Sequence, residues 1–283
     1  MGFGGFFNYN KPGPGVSKDE PQKRSFFYFF EIWFKNVWKL LPSGCLYVLF
    51  GLLLIPSGLG SAGMTNIARN MARDKHSFGV SDFFETIKKN WKQALPLGII
   101  NVALSAAVIV AGVTYFRAFE GFGGMLGTGL MISVFFVISV MNYYAWLILI
   151  TFNMPLKKIL KNSFYFVFIN LPKNLLVVLG SILWFVISAG ICLLCWSNAY
   201  IFTFMVGTMA LVALLFYPGF HHLLVQFCVF PAVRRLMIDP YYEQNPDADI
   251  ELRRSLGLPV PEDEEEEETV FDDERLLPES EDE

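Results

Sequence analysis

His221 and His222, with Cys228 further along the same stretch, are the residues of this chain whose types come closest to a metal site. Imidazole and thiolate suit zinc, but neighbouring residues on a helix point about 100° apart, so the pair lacks the i, i+4 spacing by which two histidines share an ion. Packing or an interfacial role is the expectation. Cys192-Leu-Leu-Cys195 has the spacing of a redox dithiol, yet it lies in a continuous apolar stretch and not beside a βαβ pattern, which argues against disulfide exchange. Gly58-Leu-Gly60-Ser-Ala-Gly63 matches GxGxxG, a pyrophosphate-binding turn when it follows a strand. Here it follows an apolar helix, so the glycines read as a means of close backbone packing. Phosphate loops of the GxxxxGK[ST] type, HExxH pairs and GxSxG elbows are absent. Nucleophile, acid, base and metal ligands never combine in a workable pattern, so the expectation is a protein that is not an enzyme, with no catalytic, cofactor or metal site.

The elements that carry these residues are greasy. Leu40 to Gly63, Gln93 to Thr114, Met125 to Phe152, Leu175 to Trp196 and Ala199 to Tyr217 contain no Asp, Glu, Lys, Arg or His. A hydrocarbon core about 30 Å thick needs roughly 20 apolar residues in a helix, and each run meets or nearly meets that length. The sequence therefore predicts an all-α, polytopic integral membrane helix bundle of about five transmembrane helices, near 40–63, 93–114, 125–152, 175–196 and 199–217. Apolar character persists past Tyr217-Pro-Gly219, so the fifth helix is expected to run on beyond a kink at Pro218. Proton relays and ion coupling usually need charges inside the membrane, and these runs carry none.

Three parts follow from composition. Residues 1–24, with Lys11-Pro-Gly-Pro-Gly15, read as a disordered Gly/Pro-rich segment with no cleavable signal, 25–242 as the membrane domain, and 243–283 as an acidic, disordered tail. The net charge of −4 hides an opposition: 19 Lys and Arg against 8 Asp and Glu up to Tyr242, then 3 against 18. Within the membrane domain, aromatic clusters from Phe26 to Trp38 predict an interfacial helix. Asp82 with Glu85 resembles a capping box opening a basic amphipathic helix. There Phe84, Ile87 and Trp91 share a face and Lys88, Lys89 and Lys92 spread over the rest. Lys157, Lys158 and Lys161 mark a second basic, interfacial connection. Lys88, Lys89, Trp91, Lys92, Lys157, Lys158 and Lys161 are the candidate interfacial or partner-binding residues, facing anionic lipid or an acidic partner. The candidate polar residues inside the membrane are Asn101, Asn142 and Tyr143, and an amide joining two helices is the commoner role for such residues.

Loop cations place the first and third loops and the C-terminal flank in the cytoplasm, and with them the tail. Five spans then put the basic N-terminal flank, with Lys35 and Lys39, on the far side. A first segment that is re-entrant, broken at Pro56 and its glycines, would leave four spans and bring both flanks to the cytoplasm. Five is the reading preferred from length.

The ordered set Pro56-Ser-Gly-Leu-Gly-Ser-Ala-Gly63, Asp82-Phe-Phe, Lys89-Asn-Trp-Lys-Gln-Ala94, Gln226-Phe-Cys-Val-Phe230 and Met237-Ile-Asp-Pro-Tyr-Tyr-Glu243 resembles the YesL family of bacterial membrane proteins, over roughly residues 30–246. The resemblance implies a multi-pass protein of the bacterial inner (plasma) membrane, associated with carbohydrate uptake, with no catalytic residues to carry over. The expected function is a non-enzymatic accessory protein docking with a transporter or sensor kinase through basic loops and acidic tail. The expected surroundings are the lipid bilayer, and nucleic acid is not an expected partner. The alternative is a passive or partner-driven solute permease lined by Asn101, Asn142 and nearby tyrosines.

Overall fold

The structure, a computed structural model, describes residues 25–244 apart from His76 and Glu120, together with Ile250. The expected disordered segment 1–24 and nearly all of the expected acidic tail lie outside the described residues. Among the described residues the chain is all-helical, in the order α1 (Ser25–Leu52), α2 (Ser57–Ala72), α3 (Val80–Ala118), α4 (Gly121–Thr151), α5 (Leu156–Ile169), α6 (Leu171–Leu194) and α7 (Ala199–Val233). α7 passes through a π-helical turn (Arg234–Ile238) into α8 (Asp239–Gln244). Four helices are long and apolar enough to cross a membrane: α3, α4, α6 and the α7–α8 rod. By that length and composition this is a membrane protein.

α3 pairs with α4 and α6 with α7 as antiparallel hairpins, while α2 packs against α1, α3, α4 and α7. α2 can occupy this central place because it is narrow. Gly58, Gly60, Ala62, Gly63 and Ala68 are all buried, and small side chains let neighbouring backbones close in. Around it lie the most deeply buried large residues, among them Ile32, Leu40, Met64, Phe83, Leu97 and Tyr144. Away from α2 the helices expose apolar side chains, such as Val110, Phe116, Phe122, Leu179 and Phe204. Water would not tolerate so extensive an apolar surface, but lipid matches it.

Leu40–Gly63, expected to cross the membrane as one helix, is instead divided between α1 and α2. Pro56 has no N–H to continue the ladder, and Leu54 takes a left-handed φ of 56° just before it. The exposed polar groups are satisfied locally: the Leu54 amide donates to Gly51 O at 3.1 Å, and the Ser57 hydroxyl donates to Leu54 O at 2.6 Å. α1 climbs antiparallel to α7, with the Phe29 ring 5.6 Å from Phe227 and Gly44 beside Pro218. α2 returns, with Gly60 against Phe50 near the bend and Arg73 stacked 5.0 Å over Phe230 at the far end. The Lys35 ammonium meets Asp74 at 2.7 Å where the two arms part. The first apolar run is thus a helical hairpin that enters and leaves the bundle at one end.

Candidate functional site

The glycine motif does what close packing requires. A β-carbon on Gly58 would collide with the backbone of Ala94 and Gly98, one on Gly60 with Phe50, and one on Gly63 with the Phe83 ring. Asn66 Nδ2 also donates to Thr86 Oγ1 at 2.8 Å, tying α2 to α3.

Asn101 and Asn142 meet. Asn142 Nδ2 donates to Asn101 Oδ1 at 2.7 Å and to Ile138 O at 2.9 Å, so the pair clamps α3 to α4. Tyr143 faces another way, its ring 5.6 Å from that of His221. His222 Nδ1 lies 2.9 Å from Pro218 O, which can only accept, so this nitrogen carries the proton. His221 Nδ1 lies 3.0 Å from Ser181 Oγ, whose own proton goes to Val177 O. Each imidazole thus has its Nδ1 engaged within the protein. Among the described residues no three His, Cys, Asp or Glu side chains cluster as a metal site would require. All four cysteines are free.

Sequence reasoning missed a third polar cluster. The Tyr144 hydroxyl donates to Asn174 Oδ1 at 2.7 Å and accepts from Asn170 Nδ2 at 2.9 Å, while Asn174 Nδ2 donates to the Phe166 and Val167 carbonyls. This network joins α4, α5 and α6 around a fully buried ring. Its signal was present as Asn170 and Asn174, four residues apart at the head of an apolar run.

The end of the bundle where the hairpin opens is basic. Arg69 donates to Thr151 Oγ1 at 3.0 Å and to Asn66 Oδ1 at 2.8 Å, anchoring the last turns of α2 to the end of α4. Burial first, and repulsion from Arg73 second, pull the Arg69 guanidinium down to about 10, which leaves it charged at neutral pH. Lys88, Lys89, Trp91 and Lys92 on α3 are exposed, as are Lys157, Lys158 and Lys161 on α5. The Lys92 ammonium lies 6.0 Å from the Trp91 ring and that of Lys161 5.9 Å from the Tyr165 ring. Cations over half-exposed aromatic rings are what a headgroup layer favours.

One expectation about α3 needs correction. The helix begins at Val80, so Asp82 is not its cap; from inside the first turn its carboxylate accepts from the Phe78 amide at 3.0 Å and the Ser77 hydroxyl at 2.7 Å. The buried stripe is Phe83 and Thr86, whereas Phe84 and Trp91 are 41% and 51% exposed. Of the shared face, Phe84 and Trp91 point outward while Ile87 packs against the core, and the Phe83 ring fills the space beside Gly63 on α2.

Two segments distant in sequence converge here. The π turn adds a residue to the helical repeat, so that the Asp239 amide bonds back to Arg234 O and the Arg234 guanidinium reaches Asp239 Oδ1 at 3.3 Å. The turn carries α8 towards α3. Lys89, Asn90, Lys92 and Gln93 from one side, and Tyr241 and Tyr242 from the other, then wall a cleft of about 780 Å³ with Thr151 on its margin. Its lining includes two ammonium groups, three amides with Asn153, and two tyrosines, a set suited to binding acidic or hydroxylated groups.

Residues 32–111, the segment from α1 through most of α3, match a protein family described as "Protein of unknown function, DUF624". No curated protein and no solved structure matches the chain.

Proposed function

We propose that this protein is a non-enzymatic accessory component of a bacterial cell membrane, one that docks a transporter or sensor kinase at its basic end. The single observation that carries this reading is the cleft between α3 and α8, where Lys89 and Lys92 stand opposite Tyr241 and Tyr242. Both walls come from the segments, Lys89 to Ala94 and Met237 to Glu243, on which the resemblance to the YesL family rests. The family match over residues 32–111 is compatible with that resemblance and covers one wall. A link to carbohydrate uptake follows from the resemblance alone.

With the first apolar run folded back as a hairpin, the basic flanks, both basic loops and the cleft lie at one end of the bundle, and Arg117 lies towards the other. The positive-inside rule then makes the basic end cytoplasmic, and the acidic tail cytoplasmic with it. The permease alternative is less well supported, because the Asn142 amide donates to Asn101 and to the Ile138 carbonyl, a clamp between α3 and α4.

A photo-crosslinking residue at position 89 or 241, introduced into the full chain in native membranes, tests the docking reading. One stoichiometric membrane partner is expected at both positions, weakened by Lys89→Glu with Lys92→Glu and by deletion of residues 247–283. Capture that is diffuse, or indifferent to both changes, defeats it.

A further inference from the structure

α1 and α6 both pack on α7 and leave a groove between them, away from the α3–α8 cleft. It encloses about 920 Å³, within the roughly 300–1,000 Å³ that small-molecule sites occupy. Phe26 and Phe30 form one wall, Leu176 and Leu183 the other, with Phe220 and Leu224 as the floor. Gly180 lets the floor rise: a β-carbon there would meet Leu224 Cδ2 at 2.8 Å. One end of the groove is different in kind, because Lys173 and Arg235 reach it from two helices. Among the described residues no acidic side chain lines the groove.

The groove also contains an unsatisfied polar group. Gln226 is 2% exposed, lines the groove, and its Oε1 has no hydrogen-bond partner. A buried amide oxygen left unpaired within an apolar groove marks a place where a polar group of a ligand belongs. Gln226 lies nine residues before Arg235 on the same rod, about 13 Å deeper along the axis. Cations at the mouth, a lone amide deeper in, and apolar walls throughout follow the order of a phospholipid: phosphate, glycerol-ester layer, acyl chain. Turning the amide by 180° presents either a donor to an ester carbonyl or an acceptor to a glycerol hydroxyl.

We propose that this groove is a binding site for an anionic bilayer phospholipid, its phosphate held by Lys173 and Arg235, its backbone region by Gln226, and an acyl chain by the α1 and α6 walls. The site is separate from the docking cleft and does not depend on it.

Full-length protein equilibrated with mixed vesicles of equal phosphatidylglycerol and phosphatidylcholine, then extracted for native mass spectrometry, provides the test. Wild type is expected to retain phosphatidylglycerol at least fivefold over phosphatidylcholine, with millimolar inorganic phosphate failing to displace it. Lys173→Ala with Arg235→Ala, both exposed positions, should bring the ratio towards one, and Leu176→Trp should remove both lipids by filling the groove. Gln226→Leu should weaken retention while unfolding no earlier than wild type. Arg117→Ala, an exposed cation towards the other end of the bundle, should leave the ratio unchanged. Equal retention of the two lipids, or an equal effect of the Arg117 change, overturns the proposal. So does lipid retention that appears only after residues 1–24 are deleted, since the chain's own first segment would then be the occupant.

Discussion

Gly58 and Gly98 cross so closely that a β-carbon on Gly58 would stand 2.7 Å from Gly98 Cα, and one on Gly98 would stand 2.6 Å from Gly58 Cα. Both obstacles are backbone, which cannot turn aside as a side chain can. Overpacking of this kind costs about 1–3 kcal/mol, and here the returning arm of the hairpin would be pushed off α3. Gly58→Ala or Gly98→Ala should therefore lower the unfolding midpoint in detergent by several degrees. Gly207→Ala, which meets nothing within 4 Å, should not. An unchanged midpoint for Gly98→Ala would mean that the two backbones do not meet at this crossing.

The hairpin makes a topological prediction. Cysteines placed at Lys39 and Lys88 should react with a membrane-impermeant maleimide from the same side of sealed vesicles, and one at Asn198, in the turn between α6 and α7, from the opposite side. Five crossings would instead separate position 39 from position 88. The four native cysteines should be replaced first.

Tyr144 holds three helices together through one hydroxyl. Tyr144→Phe keeps the ring stacked on Phe166 but strands the Asn174 oxygen and removes the acceptor for Asn170. A buried group left unpaired costs about 1–3 kcal/mol, so this single-atom change should destabilise more than its size suggests. Asn174→Ala with Tyr144→Phe should cost less than the sum of the two single changes. Strict additivity in thermal unfolding would show that the hydroxyl and the amide act independently.

The Asn101–Asn142 pair also predicts coupling. Interhelical side-chain bonds in membranes average about 0.6 kcal/mol, so Asn101→Leu and Asn142→Leu should each destabilise modestly, and the double variant hardly further. Solute flux into liposomes should be at background for wild type and both variants. Flux in wild type that Asn142→Leu abolishes would restore the permease reading.

Lys35 and Asp74 join the two arms at the surface, and the hydrogen bond, then the charge of Asp74, raise the Lys35 pKa above its usual 10.5. A cation whose folded pKa is raised contributes stability below the unfolded value and loses it as the pH climbs through the folded one. The difference in midpoint between wild type and Asp74→Asn should be small at pH 8 and should shrink as the pH passes 10.5. Salt should shrink it too, since the pair is exposed.

The sequence by itself determined that helices would build this protein, that four of its five uncharged runs would form helices long and apolar enough to cross a membrane, and which stretches would carry cations. Each follows from composition over a window: uncharged runs must leave water, and lysines beside aromatic rings must stay at its edge. The GxGxxG glycines were legible as packing residues for the same reason, since a helix came before them. Tertiary structure decided what windows cannot hold. Leu40–Gly63 is long enough to cross, yet it turns back at Leu54–Pro56 because α3, α4 and α7 leave a narrow slot that only the glycine face of α2 fits. Phe83 and not Phe84 is buried because Gly63 lies opposite it. Lys89 faces Tyr241 because a π turn at Arg234–Ile238 redirects the last helix, a consequence of backbone register that no local pattern of residue types announces.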